Sequence, residues 1–267
     1  MSYKIMKLDV LGENIEYVDV NPENEDVIIF AHGLGCNLHQ WEEQIKHFSP
    51  NYRVVAFSLQ GHGGSSKPIE KESYTLEAYG QVVLSLLDVL DITKVIWIGN
   101  SMGGVIGYEV LKKAPLRIQQ IITNGTAPAL KYNKLTLSLI NLMDRGLVKL
   151  LGFEGYINIA VKASLKDPNK RKILKDLFMS TKMEAIIASH QLLGNYDYLS
   201  VLQDAGCPVT LVITPADKDI NKAIQKHKRE LEGLSHVQLH VHNEGGHVLN
   251  IEKSDQYNEL IELLIHK

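Results

Sequence analysis

The chain alternates short apolar runs with helix-like segments, and this rhythm constrains its architecture more than any other feature. Strand candidates are Ile15 to Val20, Val27 to Ala31, Val54 to Phe57, Val95 to Ile98, Ile121 to Thr123, Thr210 to Ile213 and Val237 to Val241. Most are β-branched and apolar throughout, as strands buried on both faces are. Alternation of this kind predicts a mostly parallel, doubly wound α/β sheet with helices on both faces. Residues before Val20 read as an antiparallel start. At 267 residues, one α/β domain with an insertion is the natural size.

The rhythm stops after Ala127-Pro128. From there to Gly206 the pattern is helical, with no strand. Leu135, Leu139, Leu142 and Met143 fall at helical spacing, as do Ile173, Leu174 and Leu177. The expected division is a core of residues 1–127 and 206–267 and a helical cap of residues 128–205 inserted between two sheet strands. An insertion there is expected to cover a pocket. Lys162, Lys166, Lys170, Arg171, Lys172 and Lys175 cluster within it. They are expected to form a solvated face rather than an anchor for a substrate carboxylate.

The strand candidate ending at Ile98 runs into Gly99-Asn100-Ser101-Met102-Gly103, a G-x-S-x-G string. Chance gives such a string in roughly one chain of this length in ten, so its context has to carry the argument. Here it joins a buried strand to a helix that ends in Lys112-Lys113 before Pro115. A serine hydroxyl becomes a nucleophile when a sharp turn exposes it and a base takes its proton. A base candidate follows: His247, after Gly245-Gly246, lies on a loop just beyond the last strand candidate. An acid to orient the imidazole is available on the loop after Thr214, as Asp217 or Asp219. The backbone amides of Leu34, in His32-Gly33-Leu34-Gly35, and of Met102 are the expected oxyanion donors.

These pieces resemble the α/β-hydrolase fold, in its esterase, lipase and peroxidase-like group, over nearly the whole chain. The matching residues are His32-Gly33-Leu34-Gly35 with Trp41, Gly61-His62-Gly63-Gly64-Ser65, Gly99 to Gly104, Asp217 and Gly246-His247. The resemblance implies Ser101 as nucleophile, His247 as general base and Asp217 as its orienting acid, in that chain order. It favours Asp217 over Asp219 because the family's acid ends a strand led by proline, here Pro208. One departure stands out: Ser58 and Gln60 occupy positions where the family often has Asp-x-Arg. Serine at position 101 disfavours the dehalogenase and epoxide-hydrolase relatives of the fold, which carry aspartate there.

The expected activity is acyl transfer through a covalent acyl-enzyme, on a small ester or related substrate and without a cofactor. Lactone opening, C–C bond hydrolysis and peracid chemistry use the same triad. A hydrolase-like small-molecule receptor or stress-pathway regulator with slow turnover is the alternative of another class. A net charge of −3 without a basic tail argues against nucleic acid. No apolar run approaches the ~18 residues of a membrane span. No N-terminal signal pattern is seen, so the cytoplasm is the expected compartment. Cys36 and Cys207 form no disulfide framework. His236, His240 and His242 share a strand face by their spacing, with no acid or Cys to complete a metal site, and none is expected.

Overall fold

The computed structural model describes residues 3–165 and 167–266. Its strands and helices are β1 (Met6–Val10), β2 (Glu13–Val20), β3 (Val27–Ala31), α1 (Glu42–Phe48), β4 (Arg53–Phe57), α2 (Leu76–Val89), β5 (Val95–Asn100), α3 (Met102–Lys113), β6 (Ile118–Asn124), β7 (Ala129–Lys131), α4 (Lys134–Ser164), α5 (Arg171–Met179), α6 (Met183–Leu193), β8 (Asn195–Asp197), α7 (Leu199–Gln203), β9 (Val209–Ile213), α8 (Lys218–Glu232), β10 (Val237–Val241), α9 (Leu249–Glu252) and α10 (Ser254–Ile265). Eight strands form one sheet in the order β1-β2-β4-β3-β5-β6-β9-β10. The β1-β2 and β2-β4 pairs are antiparallel, and the pairs from β4 through β10 are parallel.

β3 and the body of β5 are apolar because each feeds two cores. On β3, Val27, Ile29 and Ala31 enter the cluster packed by α2 and α3, while Ile28 and Phe30 enter the one packed by α1 and α10. β5 divides likewise, with Val95 and Trp97 on one side and Ile96 and Ile98 on the other. Side chains alternate across a strand, so a strand covered on both faces shows no polar positions. Thr75 caps α2 by accepting from Ala78 N at 3.1 Å, which sets the start of that helix.

The segment between β6 and β9 is mainly helical, but it also contains β7 and β8, which pair antiparallel. The absence of strands expected there is therefore corrected. The two are only three residues each, too short for any periodicity to register. α4 breaks at Gly152, where φ is 72°. Leu135, Leu139, Leu142 and Met143 do lie on this helix, yet each is more than half exposed. The buried seam uses other residues: Tyr156, Ile157 and Val161 join Leu174, Leu177, Phe178 and Ile186 in a third cluster with Val248 and Ile251 of the core. The end of the segment belongs to the main core instead, where Tyr196, Tyr198 and Leu202 are buried.

Two residues of this segment's basic cluster form ion pairs on its surface. Lys172 pairs with Asp176 at 2.7 Å and Lys175 with Glu154 at 2.6 Å. Lys166 lies outside the described residues. Among the described residues no helix is long and apolar enough to cross a membrane.

Candidate active site

Ser101 sits between β5 and α3 with φ 52° and ψ −115°, a backbone region that L-residues rarely occupy. Strain of this kind persists only where the surroundings impose it. Here Ser101 N donates to Asn124 O at 2.9 Å, and Ser101 O accepts from Gly104 N at 3.0 Å. Thr126 Oγ1 donates to the same Ser101 carbonyl at 3.0 Å. Gly103 lets α3 start hard against β3: a Cβ there would run into the carbonyl of Ala31. The G-x-S-x-G string thus describes a backbone solution, in which the turn can close only if one residue is small and another accepts positive φ.

His247 follows Gly245-Gly246 on the loop after β10, and Asp217 ends the loop after β9. His247 Nδ1 lies 2.7 Å from Asp217 Oδ2. The carboxylate can only accept, so Nδ1–H donates and Nε2 is left for other work. Asp217 is 9% exposed. Asp219 is exposed in the first turn of α8, and it is Asp217 that meets the imidazole. Ser101, Asp217, His247 and Leu34 line one cavity of about 410 Å³ under the helical segment. No hydrogen bond joins Ser101 Oγ to His247 among the described residues, a separation common where substrate is absent. A second cavity of about 480 Å³, bordered by Tyr74, Arg145 and Met183, contains neither residue.

A buried amide network holds these loops together. Gln40 Oε1 accepts from Gly33 N at 2.9 Å, and Gln40 Nε2 donates to Asn100 Oδ1 at 2.7 Å. Asn100 Nδ2 then donates to His247 O at 2.8 Å. Asn250 Nδ2 closes the far side on Gln40 O at 2.9 Å. One network therefore joins the glycine loop of Leu34, the residue before Ser101 and the backbone of His247. Gly246 N donates to Glu252 Oε2 at 2.7 Å, which pins the histidine loop from its other side. Fully satisfied networks of this type rigidify a site. Leu34 N and Met102 N, the expected oxyanion donors, take no partner in the hydrogen bonds of the described residues.

Two neutral histidines support the glycine loop. His32 Nδ1 donates to Gly33 O at 2.8 Å, while its Nε2 accepts from Leu59 N at 3.0 Å. Burial, then the neighbouring His62 ring, pushes its pKa well below the usual value. Burial lowers that of His62 to about 4. At neutral pH both imidazoles therefore serve as fixed hydrogen-bonding groups. Cys36 is buried beside the cavity, and burial pushes its thiol up, which leaves it an inert apolar group.

The departure at Ser58 and Gln60 is answered from another strand. Glu16 of β2 accepts from Ser58 Oγ at 2.7 Å and from Gly64 N at 2.9 Å. The carboxylate that the family often places in this loop is supplied across the sheet. Gln40, Asn250 and Glu16 were not identifiable from the sequence because their bonds to Asn100, Gln40 and Ser58 span 42 to 210 residues. His236 Nε2 lies 2.8 Å from Leu202 O and His242 Nδ1 2.8 Å from Glu244 O, so both rings are turned to backbone carbonyls.

Comparison with known proteins agrees with this fold. The family model described as the alpha/beta hydrolase fold matches residues 26–154. The chain is 26% identical to 3-oxoadipate enol-lactonase 2 of Acinetobacter baylyi over 95% of its length and 93% of that protein's. It is 24% identical to the pimeloyl-[acyl-carrier protein] methyl ester esterase of Hamiltonella defensa, over 87% of this chain and 90% of that one. The crystal structure of the enol-lactonase from Burkholderia xenovorans LB400 superposes with a TM-score of 0.85 at 19% identity, covering 98% of this chain and 100% of the other. With the sheet order and the inserted helices, these matches show an α/β-hydrolase fold with inserted helices and support a hydrolase.

Proposed function

We propose that the protein is a serine hydrolase of the carboxylesterase type, acting on a small-molecule ester or lactone through a covalent acyl-enzyme. The reading is carried by one observation: the Asp217–His247 pair and the strained Ser101 line the same cavity. In the proposed cycle His247 Nε2 takes the Ser101 hydroxyl proton as Oγ attacks the carbonyl carbon. The tetrahedral oxyanion is received by the amides of Leu34 and Met102. His247 then returns the proton to the leaving alcohol, and the C–O bond to it breaks. Water, deprotonated by the same imidazole, releases the acid and restores the serine. Asp217 keeps Nδ1 protonated throughout and offsets the imidazolium charge. Every proton is handled by His247, so the cycle needs no cofactor.

Lactone opening is retained beside ester cleavage because a lactone is an internal ester and 3-oxoadipate enol-lactonase 2 resembles this chain over nearly all its length. The test is labelling by a fluorophosphonate probe, with the modified residue found by mass spectrometry. Labelling at Ser101 that disappears in His247→Ala is expected. Folded protein that takes no label at Ser101 would overturn the reading and favour a binding role.

A further inference from the structure

The cap holds a second aspartate–histidine pair, and its histidine lines the same cavity. His190, in the last turn of α6, lines the cavity together with Ser101 and His247. Its Nδ1 lies 2.8 Å from Asp144 Oδ2. Asp144, on α4, is only 7% exposed, and Tyr156 OH donates to its other oxygen at 3.1 Å. Burial and the Asp144 charge keep the Tyr156 phenol protonated, so it remains a donor. A buried carboxylate costs several kcal/mol unless its lone pairs are used. Here both oxygens are used, and the arrangement fixes one ring. Nδ1–H is committed to Asp144, so Nε2 is the free atom, and it takes no hydrogen bond among the described residues.

A tie between α4 and α6 would need only the Asp144–Nδ1 contact and could be met by many side chains. An imidazole adds a second nitrogen on the opposite edge of the ring, and this ring borders the cavity. Among the described residues, none of the cap's basic residues lines this cavity, and two of them, Lys172 and Lys175, are paired with Asp176 and Glu154. The cap's other contributions to the cavity wall are Phe178, Ala160, Ala163 and Leu193, with Tyr132 and Ser164. A polar atom held rigidly in a cavity wall selects ligands that place a complementary atom there.

We propose that His190 is a substrate-positioning residue, oriented by Asp144 and Tyr156, whose Nε2 hydrogen-bonds a second oxygen function remote from the scissile carbonyl. The preferred substrates are then esters or lactones bearing a distal hydroxyl or carboxylate, over plain alkyl acyl groups. The proposal rests on the serine-hydrolase reading of the site.

The test compares methyl hexanoate, methyl 6-hydroxyhexanoate and methyl hydrogen adipate, with hydrolysis followed by pH-stat in the full-length protein. The wild type is expected to favour at least one oxygenated ester about tenfold in kcat/KM, chiefly through KM, as one added hydrogen bond allows. His190→Asn keeps an amide near the Nδ1 position for Asp144 but lacks any atom at Nε2. It should lower kcat/KM for the favoured oxygenated ester about tenfold more than for methyl hexanoate. His190→Gln places an amide near the Nε2 position and should recover part of the preference. Which ester is favoured tells a hydroxyl partner from a carboxylate. Equal wild-type rates on all three esters overturn the proposal. So does a His190→Asn variant that loses all three rates in proportion, or one that loses fluorophosphonate labelling of Ser101 as His247→Ala does. Binding to Ser101→Ala, measured by calorimetry with the same esters, reads the preference without turnover. A preference there that survives His190→Asn also overturns it, even if the serine-hydrolase reading has itself failed.

Discussion

Gly103→Ala and Gly146→Ala make the same chemical change on two helices and should act in opposite directions. A Cβ at Gly103 collides with the carbonyl of Ala31 and lies 2.8 Å from His32 O. Neither backbone can yield cheaply. β3 is hydrogen-bonded to β4 on one side and β5 on the other, and Gly103 O itself accepts from Trp97 Nε1 at 3.0 Å. Overpacking a fitted site costs about 1–3 kcal/mol, and a backbone-on-backbone clash belongs at the top of that range. At roughly 2–4 °C per kcal/mol for a chain near this size, Tm should fall by about 6–12 °C. Any shift of α3 also moves Ser101 and Met102, and a misplacement near 1 Å costs about a hundredfold in rate. Gly146, inside α4, has nothing within 4 Å of an added Cβ. There alanine should add about 0.5–1 kcal/mol by restricting the unfolded chain and favouring the helix. Thermal melts read by circular dichroism, with kcat/KM on a chromogenic ester, measure both effects. A Gly103→Ala protein that melts within 2 °C of wild type and keeps its rate would refute the close-approach argument.

Three further outcomes are expected. Asp217→Asn should lower kcat about 10⁴-fold with little change in KM, because the amide can hold the imidazole in the wrong tautomer; steady-state kinetics check this, and a loss below tenfold would remove Asp217 from its role. His62 has a folded pKa near 4 against the ordinary 6.5, so the unfolded chain binds the extra proton first and stability falls as pH drops through that window. The loss attributable to it is about 3 kcal/mol at pH 4, and His62→Asn should therefore lose less Tm than wild type between pH 7 and 4; equal losses would contradict the assigned burial. Glu16→Ala removes the acceptor of Ser58 Oγ and Gly64 N and should cost about 3 kcal/mol at charge-assisted values, read as a shifted denaturation midpoint at constant slope.

Chain-local features were legible without coordinates. β3 and the apolar runs of β4 and β5 reveal themselves because burial on both faces leaves little place for polar residues, a property of each segment alone. The serine turn is legible for a related reason: Gly99, Ser101 and Gly103 fall within five residues, so one string records the whole backbone solution. Asp217 and His247 lie 30 residues apart, and the sequence by itself left Asp219 as a rival. Only the parallel pairing of β9 with β10 brings the two loops together and makes the 2.7 Å contact that chooses between them. The supports of the site were invisible for the same reason. Gln40 meets Asn250 across 210 residues, Ser58 meets Glu16 across 42, and His190 meets Asp144 across 46. A hydrogen bond between distant segments leaves no periodicity in either, because its energy depends on where tertiary packing sets two atoms. The apolar residues of α4 show the converse, since their spacing announced a helix but not which face the core would cover. The residues themselves determined which segments can bend, extend or coil; the packing of those segments decided which polar atoms meet.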